Sequence, residues 1–337
     1  ISPMLNNPLK QKLIAVAPMM AWTDRHCRHL HRLYSPSVVL FSEMITTGAL
    51  IHGKQTHQLD YDASQHPVAV QLGGNDPHDL ATCARLAEQW GYDEINLNIG
   101  CPSDRVQRGT FGAALMQKPQ LVADCVSAMR EAVAVPITVK CRTGIQFKGD
   151  GGRFQSSDFL LEFIEAVHNA GCQRLYLHAR NAILGGLTPA QNREIPPLQP
   201  ERGQLIKSEF PELELIMNGG INSCDTALEL LHWADGVMIG RSAYHNPLLL
   251  SELHKHLRDP SFVIDEADFL ARYKTYMQLQ LAGGERLQPL MRHLLHSFNG
   301  RPGARRFRRT LSDHQRLKRG DASILDDALS HIFGAAA

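Results

Sequence analysis

No apolar run in the 337 residues approaches the length of a membrane span, which argues against a helical membrane protein. The seven cysteines are odd in number and follow no regular spacing. They argue against a disulfide framework and for a reducing compartment. The chain has no CxxC pair and no metal-ligand spacing, so its 17 histidines are not read as a zinc site, and no metal is expected. Ile1 to Gln11 has no apolar core of the secretory type, and a cytoplasmic location is expected. No solenoid repeat and no low-complexity segment is visible. Net charge is also nearly absent, at a formal +1.

What is present is an ordinary globular composition, 43% hydrophobic and 20% charged. The length suits one large domain followed by a small one. The small net charge hides an uneven distribution. Residues 286–319 carry ten Lys or Arg against one acid, Asp313, a local charge of +9 that leaves −8 elsewhere. A segment of that kind points to a polyanionic partner.

From Leu13 to Ile239 strand-like and helix-like segments alternate. Eight short, mostly apolar runs read as parallel strands buried on both faces: Leu13–Ala17, Val38–Ser42, Val68–Leu72, Glu94–Asn98, Ile137–Lys140, Arg174–His178, Glu214–Asn218 and Gly236–Ile239. The segments between them are long enough for crossover helices. In the clearest, Asp76 suits the N-cap, Pro77 the first helical position and Gly91 the left-handed C-terminal position. Gln120–Val133 reads as another. Eight such units over about 230 residues predict a (β/α)8 TIM barrel. A doubly wound sheet is the competing architecture. It usually carries a glycine-rich turn after its first strand, where this chain has Ala17-Pro18-Met19-Met20. Two strand-to-helix connections look long, Gly144–Ser157 and Arg180–Pro200.

After Pro247 the strand signal stops. Glu266–Ala282, Arg286–Phe298, Ala304–Leu317 and Asp321–Phe333 read as helices, separated by glycine-rich breakers. They predict a small C-terminal all-helical bundle. The expected division is residues 1–250 for the barrel and 251–337 for the helices.

In the run Glu94 to Ser103, Ile95, Leu97 and Ile99 alternate with polar positions, the period of a strand. Gly100 and Pro102 break it, with Cys101 between them. A thiol at the carboxyl end of a strand sits where barrels place chemistry. The competing reading is a small buried hydrophobe.

The other strand ends supply Pro18, Met19 and Met20; Gln71; Asn96 and Asn98; Lys140 and Arg142; His178 and Arg180; Asn218, Gly219 and Gly220; and Gly240 with Arg241. Gly219 and Gly220 after the seventh strand and Gly240 after the eighth let backbone N–H groups approach an anion, and Arg241 adds a charged fork. Tight turns are the alternative use of those glycines. A phosphate site beside a Lys, a His and several amides suits a phosphorylated planar cofactor. Flavin mononucleotide (FMN) is one, with Gln71 on the polar ring edge and Lys140 near N1 and O2. Pyridoxal phosphate is the other, with Lys140 as Schiff base.

Leu97-Asn98-Ile99-Gly100-Cys101-Pro102-Ser103 resembles the signature of the tRNA-dihydrouridine synthases. The resemblance extends through Ala17-Pro18-Met19, Gln71-Leu72-Gly73, Thr138-Val139-Lys140, His178-Ala179-Arg180, Asn218-Gly219-Gly220-Ile221 and Gly240-Arg241, and covers nearly the whole chain. Trp22-Thr23-Asp24-Arg25-His26, Thr46-Thr47-Gly48-Ala49 and Asn192 to Leu198 are similar to the branch acting on tRNA uridines 20 and 20a. The resemblance implies FMN as cofactor, NADPH as reductant and reduction of the uridine C5–C6 bond in a flipped-out base. It implies Cys101 as proton donor, so that this cysteine must stay a thiol until the hydride has arrived. It implies Pro18, Met19, Met20, Gln71, Lys140, His178, Asn218, Gly219, Gly220, Gly240 and Arg241 as FMN contacts. Asn98, Arg193, Arg305 and Arg308 match tRNA-contacting positions, and a monomer is expected. Gly149–Arg153 looks unusual for the family, as an insertion after the fifth strand would. A small-molecule pyrimidine oxidoreductase, such as a dihydropyrimidine or dihydroorotate dehydrogenase, is the alternative with the same barrel. A catalytically silent RNA-binding protein is the alternative from another class.

Overall fold

A computed structural model describes residues 11–103, 109–147 and 149–334. The N-terminal stretch read above for a leader lies, but for Gln11, outside the described residues. The described strands in chain order are β1 (Leu13–Val16), β2 (Val39–Thr46), β3 (Val68–Gly73), β4 (Glu94–Ile99), β5 (Ile137–Arg142), β6 (Ile145–Gln146), β7 (Arg174–His178), β8 (Ala182–Ile183), β9 (Glu214–Asn218) and β10 (Gly236–Ile239). All but β6 and β8 close into one barrel, β1-β2-β3-β4-β5-β7-β9-β10 and back to β1. Every pairing is parallel. The expected (β/α)8 barrel is therefore what the chain forms.

Helices cover its outside: α1 (Arg25–Tyr34), α2 (Thr47–Ile51), α3 (Pro77–Trp90), α4 (Pro119–Ala132), α5 (Ser157–Asn169), α6 (Pro200–Glu209), α7 (Cys224–Leu231) and α8 (Arg241–His245). In α3 the Asp76 carboxylate accepts from Asp79 N and Gly91 takes φ +92°, so both ends are set by the residues that suit them. Along β4 the apolar Ile95, Leu97 and Ile99 join the core beneath the helices. The polar Glu94, Asn96 and Asn98, equally buried, fall on the opposite face, toward the barrel axis. Period-2 alternation here separates helix-facing from axis-facing residues, not core from solvent.

Two differences from the sequence reading concern the strands. β2 runs on to Thr46, four residues past Ser42, across a register shift between Phe41 and Met44. The two long connections are tied together, because β6 in one pairs with β8 in the other. The Gly149–Arg153 stretch forms surface turns, with Gly149, Gly151 and Gly152 at positive φ and open space around the first two.

The C-terminal part is all helical, as expected: α9 (Leu248–Leu257), α10 (Glu266–Ala282), α11 (Leu287–Leu294), α12 (Ala304–Leu311), α13 (His314–Arg319) and α14 (Ile324–Phe333). α9 crosses the boundary expected at residue 250. The helix expected over Ala304–Leu317 is two helices. Asp313 accepts from Gln315 N and Arg316 N, starting α13 anew. These helices share one apolar cluster with Ile14 and Val16 of β1 and Leu30, Leu33 and Tyr34 of α1. α1 is the seam. Its N-cap Asp24 pairs with Arg292 and with His293 (2.9 Å), Arg25 with Glu285 (2.8 Å), and the Tyr276 ring stacks 3.6 Å from that of His29. Burial alone would raise the Asp24 carboxyl, but the bonds from His293 and Cys27 N, with Arg292 nearby, hold it well below the usual carboxylate range.

Candidate active site

The carboxyl ends of the eight barrel strands converge on one mouth, and most of the expected residues meet there. After β1, Pro18 and Met19 are half-buried and Met20 is 62% exposed. The turn is closed by Met19 O, which accepts from Trp22 N (3.0 Å) and Thr23 N (2.9 Å). Gln71 at the end of β3 is buried, and its Oε1 accepts from Asn98 Nδ2 at 2.7 Å. Asn98 Oδ1 in turn accepts the backbone N–H groups of Gly100 (3.1 Å) and Cys101 (3.0 Å). The loop carrying the thiol is thus pinned to the strand before it. Cys101 is half-buried, with Sγ 3.4 Å from Ser103 Oγ.

Across the mouth, Lys140 Nζ donates to Asn218 Oδ1 at 3.1 Å, and Asn218 Nδ2 donates to Met238 O at 2.7 Å. Burial, reinforced by Arg142, lowers the Lys140 ammonium to about 8. His178 is driven well below its usual range by burial and then by Arg142, Lys140, Arg180 and Arg193, so it is a neutral imidazole at neutral pH. These groups, with Arg241, make a strongly cationic rim. The acid beside it is Glu194, whose Oε1 lies 2.7 Å from Arg241.

Gly219 (φ +107°) and Gly220 (φ +73°) follow β9 in the left-handed region. A Cβ on Gly219 would lie 2.6 Å from His178 Cδ2, and one on Gly220 would overlap Leu198. A Cβ on Gly240 would meet no atom within 4 Å, so the backbone there faces open space. Arg180 Nε is buried with no hydrogen-bond partner. Open glycine backbone, a cationic rim and an unsatisfied guanidinium N–H are what a phosphate ester needs.

Of the expected RNA contacts, Asn98 and Arg193 belong to this mouth, Arg193 on an exposed turn (Gln191–Arg193). Arg305 and Arg308 do not. They lie on α12, whose Ala304, Phe307 and Leu311 are buried while Arg305, Arg306 and Arg309 are exposed. Among the described residues no ion pair involves Arg305, Arg306, Arg308 or Arg309. A short chain of bonds links the two places: Arg308 donates to Asn299 Oδ1 (2.9 Å), and Asn299 donates to His245 O (2.8 Å) at the end of the helix that begins with Arg241.

Sequence reasoning passed over several structural members of the mouth. Arg142 donates to Gly100 O (3.0 Å) and Asn192 O (2.9 Å), clamping the cysteine loop to the loop that bears Arg193. It was visible as a strand-end arginine but had no assigned partner. Trp22 stacks on Tyr244 with ring centroids 4.6 Å apart. No local signal in the sequence pairs those two rings.

The family model for dihydrouridine synthase (Dus) matches residues 15–333. The chain is 48% identical over 320 residues to the tRNA-dihydrouridine(20/20a) synthase of Yersinia pestis, covering 94% of this chain and 91% of that one. It is 47% identical over 334 residues to the enzyme of the same name from Pseudomonas syringae pv. tomato, covering 99% and 98%. With that of Xanthomonas campestris pv. campestris it shares 50% over 301 residues, covering 89% and 88%. Among solved structures it is similar to 2-naphthoyl-CoA reductase in complex with 2-naphthoyl-CoA, with a TM-score of 0.55 and 10% identity, over 72% of this chain and 50% of that one. That likeness bears on the fold alone. The family match and the near full-length relatives agree: the chain belongs to the dihydrouridine synthase family.

Proposed function

We propose that the protein is a flavin-dependent tRNA-dihydrouridine synthase that reduces D-loop uridines 20 and 20a with NADPH. The observation that carries the reading is the mouth itself. It joins the pinned Cys101 loop to a glycine-lined cationic cradle, in a chain 47–50% identical to relatives named for this reaction. The residues present fit FMN. Gly219, Gly220, Gly240, Arg241 and the unpartnered Arg180 Nε suit its phosphate, with His178 beside Gly219, and Lys140, held by Asn218, would face the polar edge of the ring. Gln71, with Pro18, Met19 and Met20, would hold the ring. FMN bound there supplies the hydride for C6 of the uracil, and NADPH replenishes it.

The chain's own groups do the rest. The Lys140 ammonium offsets negative charge brought to the ring's polar edge. Asn98 and Arg193 orient the base, which must leave its stack to enter the barrel mouth. Hydride arrival at C6 leaves negative charge over C5, C4 and O4 of the uracil, and the Cys101 thiol gives its proton to C5. Arg305 and Arg308 hold phosphates with no sequence preference. A small-molecule pyrimidine oxidoreductase has no use for such a helix.

In this reading residues 1–250 are the catalytic unit and 251–337 the tRNA-binding unit, and the protein works as a cytoplasmic monomer. No described helix is long and apolar enough to cross a membrane. The visible spectrum of the purified protein tests the cofactor. It should be that of oxidised flavin, and protein stripped of flavin should rebind FMN. Binding should weaken as pH rises through about 8, because Lys140 is charged below that value and loses its proton above it. Colourless protein that ignores added FMN would refute the cofactor assignment.

A further inference from the structure

Inside the barrel, one hydrogen-bonded relay runs from its amino-terminal end to the Cys101 loop. At its foot the Glu94 carboxylate accepts from Arg174 (2.7 Å), the Tyr176 hydroxyl (3.1 Å) and the Thr138 hydroxyl (2.7 Å). Thr138 has one hydroxyl proton, and it is spent on Glu94. Its oxygen is therefore an acceptor toward Asn96 Nδ2, at 2.9 Å. An amide that turns its NH2 toward Thr138 turns its oxygen the other way. Asn96 Oδ1 accordingly accepts from Gln71 Nε2 at 2.8 Å. Gln71 Oε1 then accepts from Asn98 Nδ2 at 2.7 Å, and Asn98 Oδ1 accepts from Gly100 N and Cys101 N.

Every bond in this chain donates toward Glu94. Both ends enforce the direction: at the foot a carboxyl that burial pushes up but that is salt-bridged to Arg174 and takes three donors, and at the top two backbone N–H groups. The amide oxygens of Gln71 and Asn98 are taken up within the relay. Each amide nitrogen has two N–H groups and uses one, so each keeps one N–H for a ligand. Both residues are at least 92% buried, which makes an amide facing the wrong way costly.

We infer that Glu94, acting through Thr138 and Asn96, is a positioning residue for the reaction. It holds Gln71 as a donor to the flavin ring and Asn98 as a donor to the uracil, and through Asn98 it fixes the Cys101 backbone. The inference rests on the proposed function for what those two donors meet. Glu94 itself touches neither ligand. Its salt bridge to Arg174, which also binds Glu214 (2.8 Å), ties the foot of the relay to strands β7 and β9, which do not pair with β4.

The test uses Thr138→Val, which keeps the shape and removes the hydroxyl, Glu94→Gln, and Thr138→Ser as the conservative variant. Three readouts are taken: the flavin visible spectrum, its reduction potential, and the single-turnover reduction of unmodified tRNA per bound flavin. Thr138→Val and Glu94→Gln should bind FMN, shift the flavin bands and potential, and slow tRNA reduction about tenfold to a hundredfold, the scale of a small misplacement of reacting groups. Thr138→Ser should restore all three. If either variant keeps the wild-type spectrum, potential and rate, or if neither variant folds, Glu94 has a purely structural role and the inference is wrong. Wild-type protein that binds no flavin would instead refute the proposed function, so the two failures are distinguishable.

Discussion

Replacing Cys101 by alanine should leave the fold, the bound FMN and NADPH oxidation close to wild type, while tRNA reduction falls by about 10²- to 10⁴-fold, the usual worth of a general acid. The split follows from where the residue sits. Its backbone, not its side chain, makes the bonds that hold the loop, through Asn98 and through Ala113 N, which donates to Cys101 O at 3.0 Å. Removing Sγ gives up a weak contact with Ser103. Cys101→Ser keeps a donor but a far weaker acid, and should recover little. If Cys101 were a structural cysteine, the alanine variant would lose stability, flavin and activity together. The check is a single turnover: flavin is reduced first, then mixed with unmodified tRNA, and reoxidation is followed. A wild-type rate in the alanine variant would remove Cys101 from the mechanism.

The second large effect belongs to α12. Its apolar face, Ala304, Phe307 and Leu311, is buried, so its four arginines are left on the outer side with no paired acid among the described residues. Replacing Arg305 and Arg308 by alanine should weaken tRNA binding by up to roughly thirtyfold, if each solvent-exposed phosphate contact is worth up to about 1 kcal/mol. The dependence of affinity on salt should flatten by about 0.7 to 0.9 per lost contact. NADPH-driven flavin reduction should not change, because neither arginine reaches the mouth. Affinity and salt slope equal to wild type would mean that this helix is a solvated cap and not the RNA grip.

The eight barrel strands were legible because each is a short apolar run bounded by breakers, and because the mouth residues follow those runs directly. The reading of the strands as buried on both faces holds for β4, where Glu94 and Asn96 are buried at the axis. The identities of Gln71, Asn96 and Asn98 were plain, but the direction of their amides depends on Thr138 and Glu94, which only the closed barrel brings into line. β6 and β8, at two residues each, are too short for any periodicity to reveal. Ala304–Leu317 carries a continuous helical period, and a cap by Asp313 outweighed it. The seam on α1 joins Asp24 to His293 and Arg25 to Glu285, pairs set by docking and by no local pattern.

One measurement bears most directly on the central claim. Protein reduced with NADPH without oxygen, then mixed with tRNA lacking dihydrouridine, should regain the oxidised flavin spectrum while one uridine of the D-loop is converted per flavin. Free uracil or dihydroorotate-type substrates should leave the flavin reduced. Reoxidation by the small molecules and not by tRNA, or by neither, would contradict the account.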